Sequence, residues 1–333
     1  MKLFKDMQGN YSDCIVTYFN FEEHINNYSD IKDTVLSIGY QAMWNEELRA
    51  ALAELNLDKR IYFNGELPCS FNQPQRIGMR SFDLDNAFTD IYSICPYTAD
   101  WANKKYFDGK EKFKRVLFPI EEKNVISSEK IYDTVFYGSI CGRDHVDAVN
   151  AMKGFKYNFF TLGYQHWHPN ESVSDEEVFK MHDNVPVNRK NVHTFEKWKI
   201  LSQTKVIPIY NQLYLHKKHI ESIKKYDGWE DNKAFSNIEE QIACQVKPRI
   251  TEAGLFKMLM LVKRDPWNAI EYWYEPDKEF IYFDSNEELP DLIHETTTNW
   301  EKYEHIVENA FKKAYNNYTT EALLKRMIKE TRR

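Results

Sequence analysis

Two residues near position 250 have the types and spacing needed to bind a nucleotide. Residues 247–257 read KPRITEAGLFK, in which Pro248 marks a helix start and Arg249 and Glu252 stand three positions apart. This spacing places both side chains on one face of the helix, near its positive end. Arg249 could then bind phosphate, Glu252 could accept both hydroxyls of a ribose, and Thr251 completes the candidate site. A solvated salt bridge on the helix surface explains the same pair equally well.

A second segment, about a hundred residues earlier, could bind an anion. Residues 133–143 read DTVFYGSICGR, a strand followed by a turn that contains Gly138, Ser139 and Gly142. Small residues let backbone amides approach an anion closely, and Arg143 at the start of the next helix could add a charge-assisted hydrogen bond. An ordinary turn with a surface arginine is the alternative. The two segments in this order are more informative than either one alone.

A carboxylate in the first third of the chain is a candidate general base. Residues 60–68 read RIYFNGELP, an apolar strand followed by Glu66 and a Leu-Pro turn. Ligands of α/β proteins bind at the carboxyl ends of the strands, which is where Glu66 would lie. A role as the cap of the next helix is the alternative for the same residue.

Other groups that could do chemistry are weaker candidates. Asp83 and Asp85 have the Asp-x-Asp form of some metal sites, but no long apolar strand leads into them, and we interpret them as loop residues. No cysteine or carboxylate near His166 and His168 completes a metal site. The sequence also lacks the common dinucleotide, P-loop, zinc-protease and hydrolase motifs. We therefore predict no metal and no cofactor.

The elements that must position these residues alternate between strands and helices. Predicted strands of the first third cover residues 14–19, 34–39, 60–64, 90–95 and 115–118, and those of the remainder cover 133–137, 157–162, 205–209, 258–262 and 280–283. Helical spacing marks residues 44–55, capping boxes precede helices near 236, 285 and 298, and two apolar stripes predict two terminal helices. This alternation indicates α/β architecture with parallel sheets.

Composition limits the class of protein. The chain has 333 residues, 42% of them hydrophobic, a net charge of −7 and five scattered cysteines without a C-x-x-C pair. The length suggests about two domains. Residues 1–16 carry charges where a signal peptide needs apolar residues, and no apolar stretch is long enough to span a membrane. We therefore expect a soluble, cytoplasmic protein.

The two anion-binding segments together resemble the nucleotide-sugar domain of GT-B glycosyltransferases, particularly the CgeB-type group. In that group a strand ending in Gly-Ser, a nearby Arg and a later Arg-x-x-Glu surround the nucleotide-sugar, and the matching residues are Gly138, Ser139, Arg143, Arg249 and Glu252. The resemblance covers about residues 130–328. It departs from the group in the long connection between residues 209 and 249, where residues 213–226 form a basic, helix-like insertion.

This resemblance implies two Rossmann-like domains that face a cleft. Residues 1–122 would form an N-terminal domain for the acceptor, residues 123–318 a C-terminal domain for the nucleotide-sugar, and residues 319–333 a last helix packing back on the N-terminal domain. The strands at 60–68 and 115–121 also look similar to the DNA β-glucosyltransferases of T-even phages, whose catalytic carboxylate falls near Glu66. That likeness makes a hydroxymethylated DNA base an alternative acceptor.

The function expected from the sequence is metal-independent transfer of a hexose or pentose. The nucleotide-sugar would be a co-substrate, and the acceptor a hydroxyl of a glycan or small molecule. DNA is the less favoured acceptor because the chain has no basic excess to attract a polyanion. A non-catalytic nucleotide-sugar-binding protein is a further alternative.

Overall fold

The computed structural model describes residues 35–38, 59–64, 88–138, 143–161, 189–190, 192, 194–215, 217–225 and 227–331. Its first sheet contains four parallel strands in the order β1-β2-β3-β4. The strands are β1 (Val35–Ile38), β2 (Lys59–Asn64), β3 (Asp90–Ser93) and β4 (Phe113–Arg115). Helix α1 (Pro96–Tyr106) connects β3 to β4, as parallel pairing requires.

The second sheet has six parallel strands in the order β12-β11-β8-β5-β6-β7. Buried apolar runs at its centre, such as residues 259–262, are typical of parallel strands that are covered on both faces. A short antiparallel pair, β9 with β10, lies beside it. The strands are β5 (Tyr132–Tyr137), β6 (Tyr157–Thr161), β7 (Arg189–Lys190), β8 (Thr204–Ile209), β9 (Gln212–Tyr214), β10 (Ile242–Cys244), β11 (Leu259–Lys263) and β12 (Ile281–Phe283).

Seven further helices follow in the described part of the chain. They are α2 (Arg143–Ala151), α3 (Thr194–Ser202), α4 (Lys217–Ile223), α5 (Arg249–Leu255), α6 (Leu289–Thr298), α7 (Trp300–Asn317) and α8 (Thr320–Thr331). No helix among the described residues is long and apolar enough to cross a membrane.

Most predicted strands in the described residues are confirmed, but β4 is displaced toward the amino terminus. The sequence predicted residues 115–118, whereas the strand ends at Arg115. Its partner β3 ends at Ser93, whose carbonyl accepts the amide of Val116, and the chain then turns into α1. Pairing therefore stops where β3 stops. The predicted strand at 14–19 and helix at 44–55 lie outside the described residues.

Two of the three predicted capping boxes are followed by helices, but the helix starts differ from those predicted. Ser236 follows one short 3₁₀ helix and Glu239 lies in the next, rather than at the start of a longer helix. Helix α6 begins only after Glu288, with proline in its first turn, and α7 begins after Asn299; neither cap residue makes a side-chain capping bond. Packing against the second sheet sets these helix starts more than local capping does. The two terminal helices are confirmed as α7 and α8.

Helix α1 joins the two sheets at their carboxyl ends. Tyr97, just after β3, donates a hydrogen bond of 2.7 Å to the carbonyl of Trp267, which follows β11. Further along α1, the Trp101 indole donates to the carbonyl of Gly228 at 2.8 Å. The long connection between β8 and α5 thus packs its 3₁₀ turns on α1. The loops at the carboxyl ends of both sheets consequently lie next to each other.

The C-terminal helix α8 contacts the first sheet. The amide of Thr320 donates to the carbonyl of Ile120 at 2.9 Å, and Leu323 is buried in a cluster with Ile61 and Tyr92. Helix α8 thereby packs on β2 and β3, and β2 ends two residues before the candidate carboxylate Glu66.

Candidate functional site

The candidate site begins at the turn after the central strand β5. Gly138 follows the strand with a φ of +98°, a conformation that favours glycine, and its amide donates to the carbonyl of Phe160 at 3.2 Å. The backbone of Arg143 starts α2, as the sequence predicted. Ser139 lies in the segment 139–142, outside the described residues.

Arg249 lies directly against this glycine. An ideal Cβ placed on Gly138 would come within 2.5 Å of the Arg249 Nη2 atom, so no side chain fits there without displacing the guanidinium. Arg249 is only 8% exposed, and its Cζ atom lies 4.8 Å from the centre of the Phe136 ring and 5.3 Å from that of Tyr137. Aromatic faces stabilise a cation in such a position. The structure thus brings together a predicted glycine and a predicted arginine 111 positions apart in the sequence.

Glu252 lies on the same short helix and is equally buried. Its Oε2 atom accepts a hydrogen bond from the Tyr137 hydroxyl, and its Oε1 atom forms an ion pair with Lys197 of α3. Burial, followed by the nearby Glu252 carboxylate, raises the pKa of Tyr137 well above its usual value. Tyr137 therefore remains a neutral hydrogen-bond donor. Because Arg249 and Glu252 are both buried, a solvated surface salt bridge does not describe the pair.

Thr251 is also on α5, and it is fully buried. Its hydroxyl has no hydrogen-bond partner in the part of the chain that the structure describes. Residues two positions apart on a helix point in different directions, so Thr251 does not share the face of Arg249.

A polar network that the sequence did not predict holds the start of α2. Asp144 accepts hydrogen bonds of 2.6 Å from Gln212 and from Tyr214, and one of 2.8 Å from Asn286. The Tyr210 hydroxyl donates to Asn286 at 2.9 Å. Hydrogen-bond partners 68 to 142 positions apart leave no local signal in the sequence. The network ties the helix after the glycine turn to the segments that follow β8 and β12.

Comparisons with known proteins identify the family and the fold of the chain. A family model described as "Glycosyl transferase-like" matches residues 143–329, which is more than half of the chain.

The chain belongs to the glycosyl transferase-like family.

Solved structures show the fold of this glycosyltransferase. HepE from Anabaena, in complex with UDP-glucose, is 10% identical with a TM-score of 0.53, over 93% of this chain and 80% of that one. A sucrose-phosphate synthase from Thermosynechococcus elongatus is 9% identical with a TM-score of 0.57, over 94% of this chain and 75% of that one. The predicted GT-B architecture of two Rossmann-like domains is confirmed. No curated protein matches the sequence significantly.

Several predicted residues of the glycosyltransferase are outside the described part of the structure. They are Glu66, Asp83, Asp85, His166 and His168. Within the described residues, no group of three or more histidine, cysteine and carboxylate side chains could hold a metal ion. The roles of all these residues therefore stay predictions.

Asp265 is a buried carboxylate at the same end of the second sheet, shortly after β11. Its Oδ1 atom accepts hydrogen bonds from the amides of Trp267 and Asn268 at 2.9 and 2.8 Å. Its Oδ2 atom has no partner in the described part of the chain. Burial outweighs the two amides and raises the pKa of Asp265 to about 6.

We expect Asp265→Asn to stabilise the protein at pH 8 but not near pH 4. The folded protein binds the Asp265 proton more tightly than the unfolded chain does, so the wild type loses stability as pH rises from about 4 to 6. Asparagine keeps the acceptor for both amides and has no charge to bury. A rise from 3.8 to about 6, at about 1.4 kcal/mol per pKa unit, gives a gain of about 3 kcal/mol at most. Chemical denaturation at both pH values measures the difference in unfolding free energy between the variant and the wild type. The same difference at pH 4 and pH 8 would contradict the raised pKa of Asp265.

Proposed function

We propose that the protein transfers a sugar from a nucleotide-sugar to a hydroxyl of a glycan or small molecule, without a metal ion. The observation that carries the proposal is the Arg249 guanidinium against the Gly138 turn, with Glu252 one helical turn away. A diphosphate at the turn would meet a buried cation, and the adjoining ribose would meet a carboxylate. HepE, which has the same fold, is described in complex with UDP-glucose, and this supports a nucleotide-sugar as the ligand.

In the proposed reaction, Arg249 and Arg143 stabilise the leaving diphosphate. Charge develops on the phosphate oxygens as the bond to the sugar C1 atom breaks, and fixed cations in a site of low dielectric lower the barrier. In an inverting transfer, Glu66 accepts the proton of the acceptor hydroxyl while the hydroxyl oxygen of the acceptor forms the new bond to C1. These positively charged side chains thus stabilise the charge of the diphosphate, as a divalent ion does in other transferases.

The acceptor is proposed to be a glycan or small molecule rather than DNA. The net charge of −7 disfavours a polyanion such as DNA, since binding DNA depends strongly on basic residues at its phosphates.

A panel of nucleotide-sugars in the presence of a chelator tests both the ligand and the metal independence. We expect one member to raise the melting temperature and to be hydrolysed slowly without acceptor, at a rate that EDTA leaves within about twofold. The double variant Asp83→Ala, Asp85→Ala should hydrolyse the same donor at the wild-type rate, because we interpret those residues as a loop.

Two results would contradict this proposal. Binding of donor without any hydrolysis or transfer, across acceptors, would indicate a nucleotide-sugar-binding protein. Loss of activity in EDTA that manganese restores would show that the reaction needs a metal. Asp83 and Asp85 would then be the candidate metal ligands.

A further inference from the structure

Lys197 reaches the candidate site from an element that carries none of the predicted residues. It lies on α3, its ammonium pairs with Glu252, and it lies 5.4 Å from the centre of the Tyr137 ring. The lysine side chain is 26% exposed, whereas that of Glu252 is 8% exposed. Lys197 is therefore the part of this cluster that borders solvent.

The hydrogen bonds that Glu252 makes to described residues do not use all of its acceptor positions. A carboxylate has about four acceptor positions, two on each oxygen. Tyr137 uses one position on Oε2 and Lys197 uses one on Oε1. Among the described residues nothing takes the remaining position on each oxygen, which matches two neighbouring hydroxyls of a ribose. Tyr137 and Lys197 thus fix the plane of the carboxylate without using up its capacity to bind.

The two partners of Glu252 differ in what they contribute. Tyr137 belongs to the buried core of β5 and donates as a neutral group. Lys197 supplies a positive charge, which compensates the cost of burying the carboxylate. Removing Lys197 would leave Glu252, within the described part of the chain, with one neutral donor and with freedom to turn about its terminal torsion.

We propose that Lys197 is a positioning residue that orients Glu252 and thereby sets a preference for ribonucleotide over 2′-deoxyribonucleotide donors. The inference rests on the proposed function, since it assigns the ribose of that donor to Glu252. A misoriented carboxylate accepts one hydroxyl at most, so the second hydroxyl no longer contributes to affinity. The diphosphate contacts at Arg249 are unaffected, because Lys197 bonds to the carboxylate.

Calorimetry with UDP, GDP and ADP, each compared with its 2′-deoxy form, tests this role. For the best-binding base, we expect wild type to prefer the ribonucleotide by about tenfold or more, the scale of one hydrogen bond to a charged group. Lys197→Met should reduce this preference to about threefold or less and raise KM for the sugar donor more than it lowers kcat. Lys197→Arg, which keeps the charge, should restore most of the preference.

Lys199→Met is the matched control, because Lys199 is an exposed lysine on the same helix. It should leave the ribose preference unchanged. A wild-type preference in Lys197→Met would overturn the role of Lys197 while leaving the proposed function intact. Absence of binding by all three diphosphates in wild type would contradict the donor site itself. A preference lost in Lys197→Met and equally in Lys199→Met would show a general effect of helix α3 and would also overturn the proposal.

Discussion

Glu66→Gln is expected to lower turnover by about a hundredfold or more while leaving donor binding unchanged. Loss of a general base has effects of about a hundredfold to ten-thousandfold. Glu66 comes two residues after β2, and β2 pairs in parallel with β3, whose carboxyl end leads into the helix that contacts the second sheet. The role that we propose for Glu66 rests on its position in the sequence after this strand, because α/β proteins bind ligands at the carboxyl ends of their strands. Steady-state kinetics with the true acceptor and calorimetry with the donor separate the two effects.

Asp100→Asn is the control for this prediction. Asp100 is a half-exposed carboxylate on α1, near the same end of the first sheet, where it pairs with Arg115 at 2.5 Å. It should keep turnover within about twofold of wild type. A large loss in Asp100→Asn with none in Glu66→Gln would place the base on α1 and give Glu66 a structural role.

The sequence predicted those parts of the fold that local patterns determine. Apolar β-branched runs identified the central strands, and Pro248 identified the start of α5. The starts of α6 and α7 depended on tertiary packing instead, and the Ser236 pattern produced only 3₁₀ turns that pack on α1. The role of the long connection after β8 could not be predicted, because its contact with Trp101 joins residues 127 positions apart.

The candidate site was predictable only to the extent that its residues share a short segment. Arg249 and Glu252 stood out because three positions place them on one helix face. Tyr137 was adjacent to the glycine motif, yet nothing in its spacing indicated that it would bind Glu252. Lys197 comes from a separate helix, 55 positions before Glu252, so only the three-dimensional structure reveals the pair.

The largest expected effect on binding is that of Arg249→Ala, which should weaken nucleoside diphosphate binding by about a hundredfold. A buried charge-assisted contact to phosphate contributes about 1.5–3 kcal/mol per hydrogen bond, and a guanidinium can make two. Uridine lacks the phosphates and contacts the site through its ribose, so its affinity should change little. The ratio of UDP to uridine affinity therefore reports the phosphate contact. Arg264→Ala, at a half-exposed arginine after β11 that pairs with Asp284, should leave the ratio unchanged.

Gly138→Ala also tests the contact between the Arg249 guanidinium and the glycine turn, but it keeps Arg249 in the protein. A methyl group at position 138 would collide with the guanidinium, and a φ of +98° is unfavourable for alanine. We therefore expect the ratio of UDP to uridine affinity to fall in this variant too, with some loss of stability. Arg249→Lys should fall between wild type and Arg249→Ala, because lysine keeps the charge but not the planar fork. If all three variants kept the wild-type ratio in a folded protein, the diphosphate would bind elsewhere. The glycine turn and Arg249 would then form a structural contact of the second sheet.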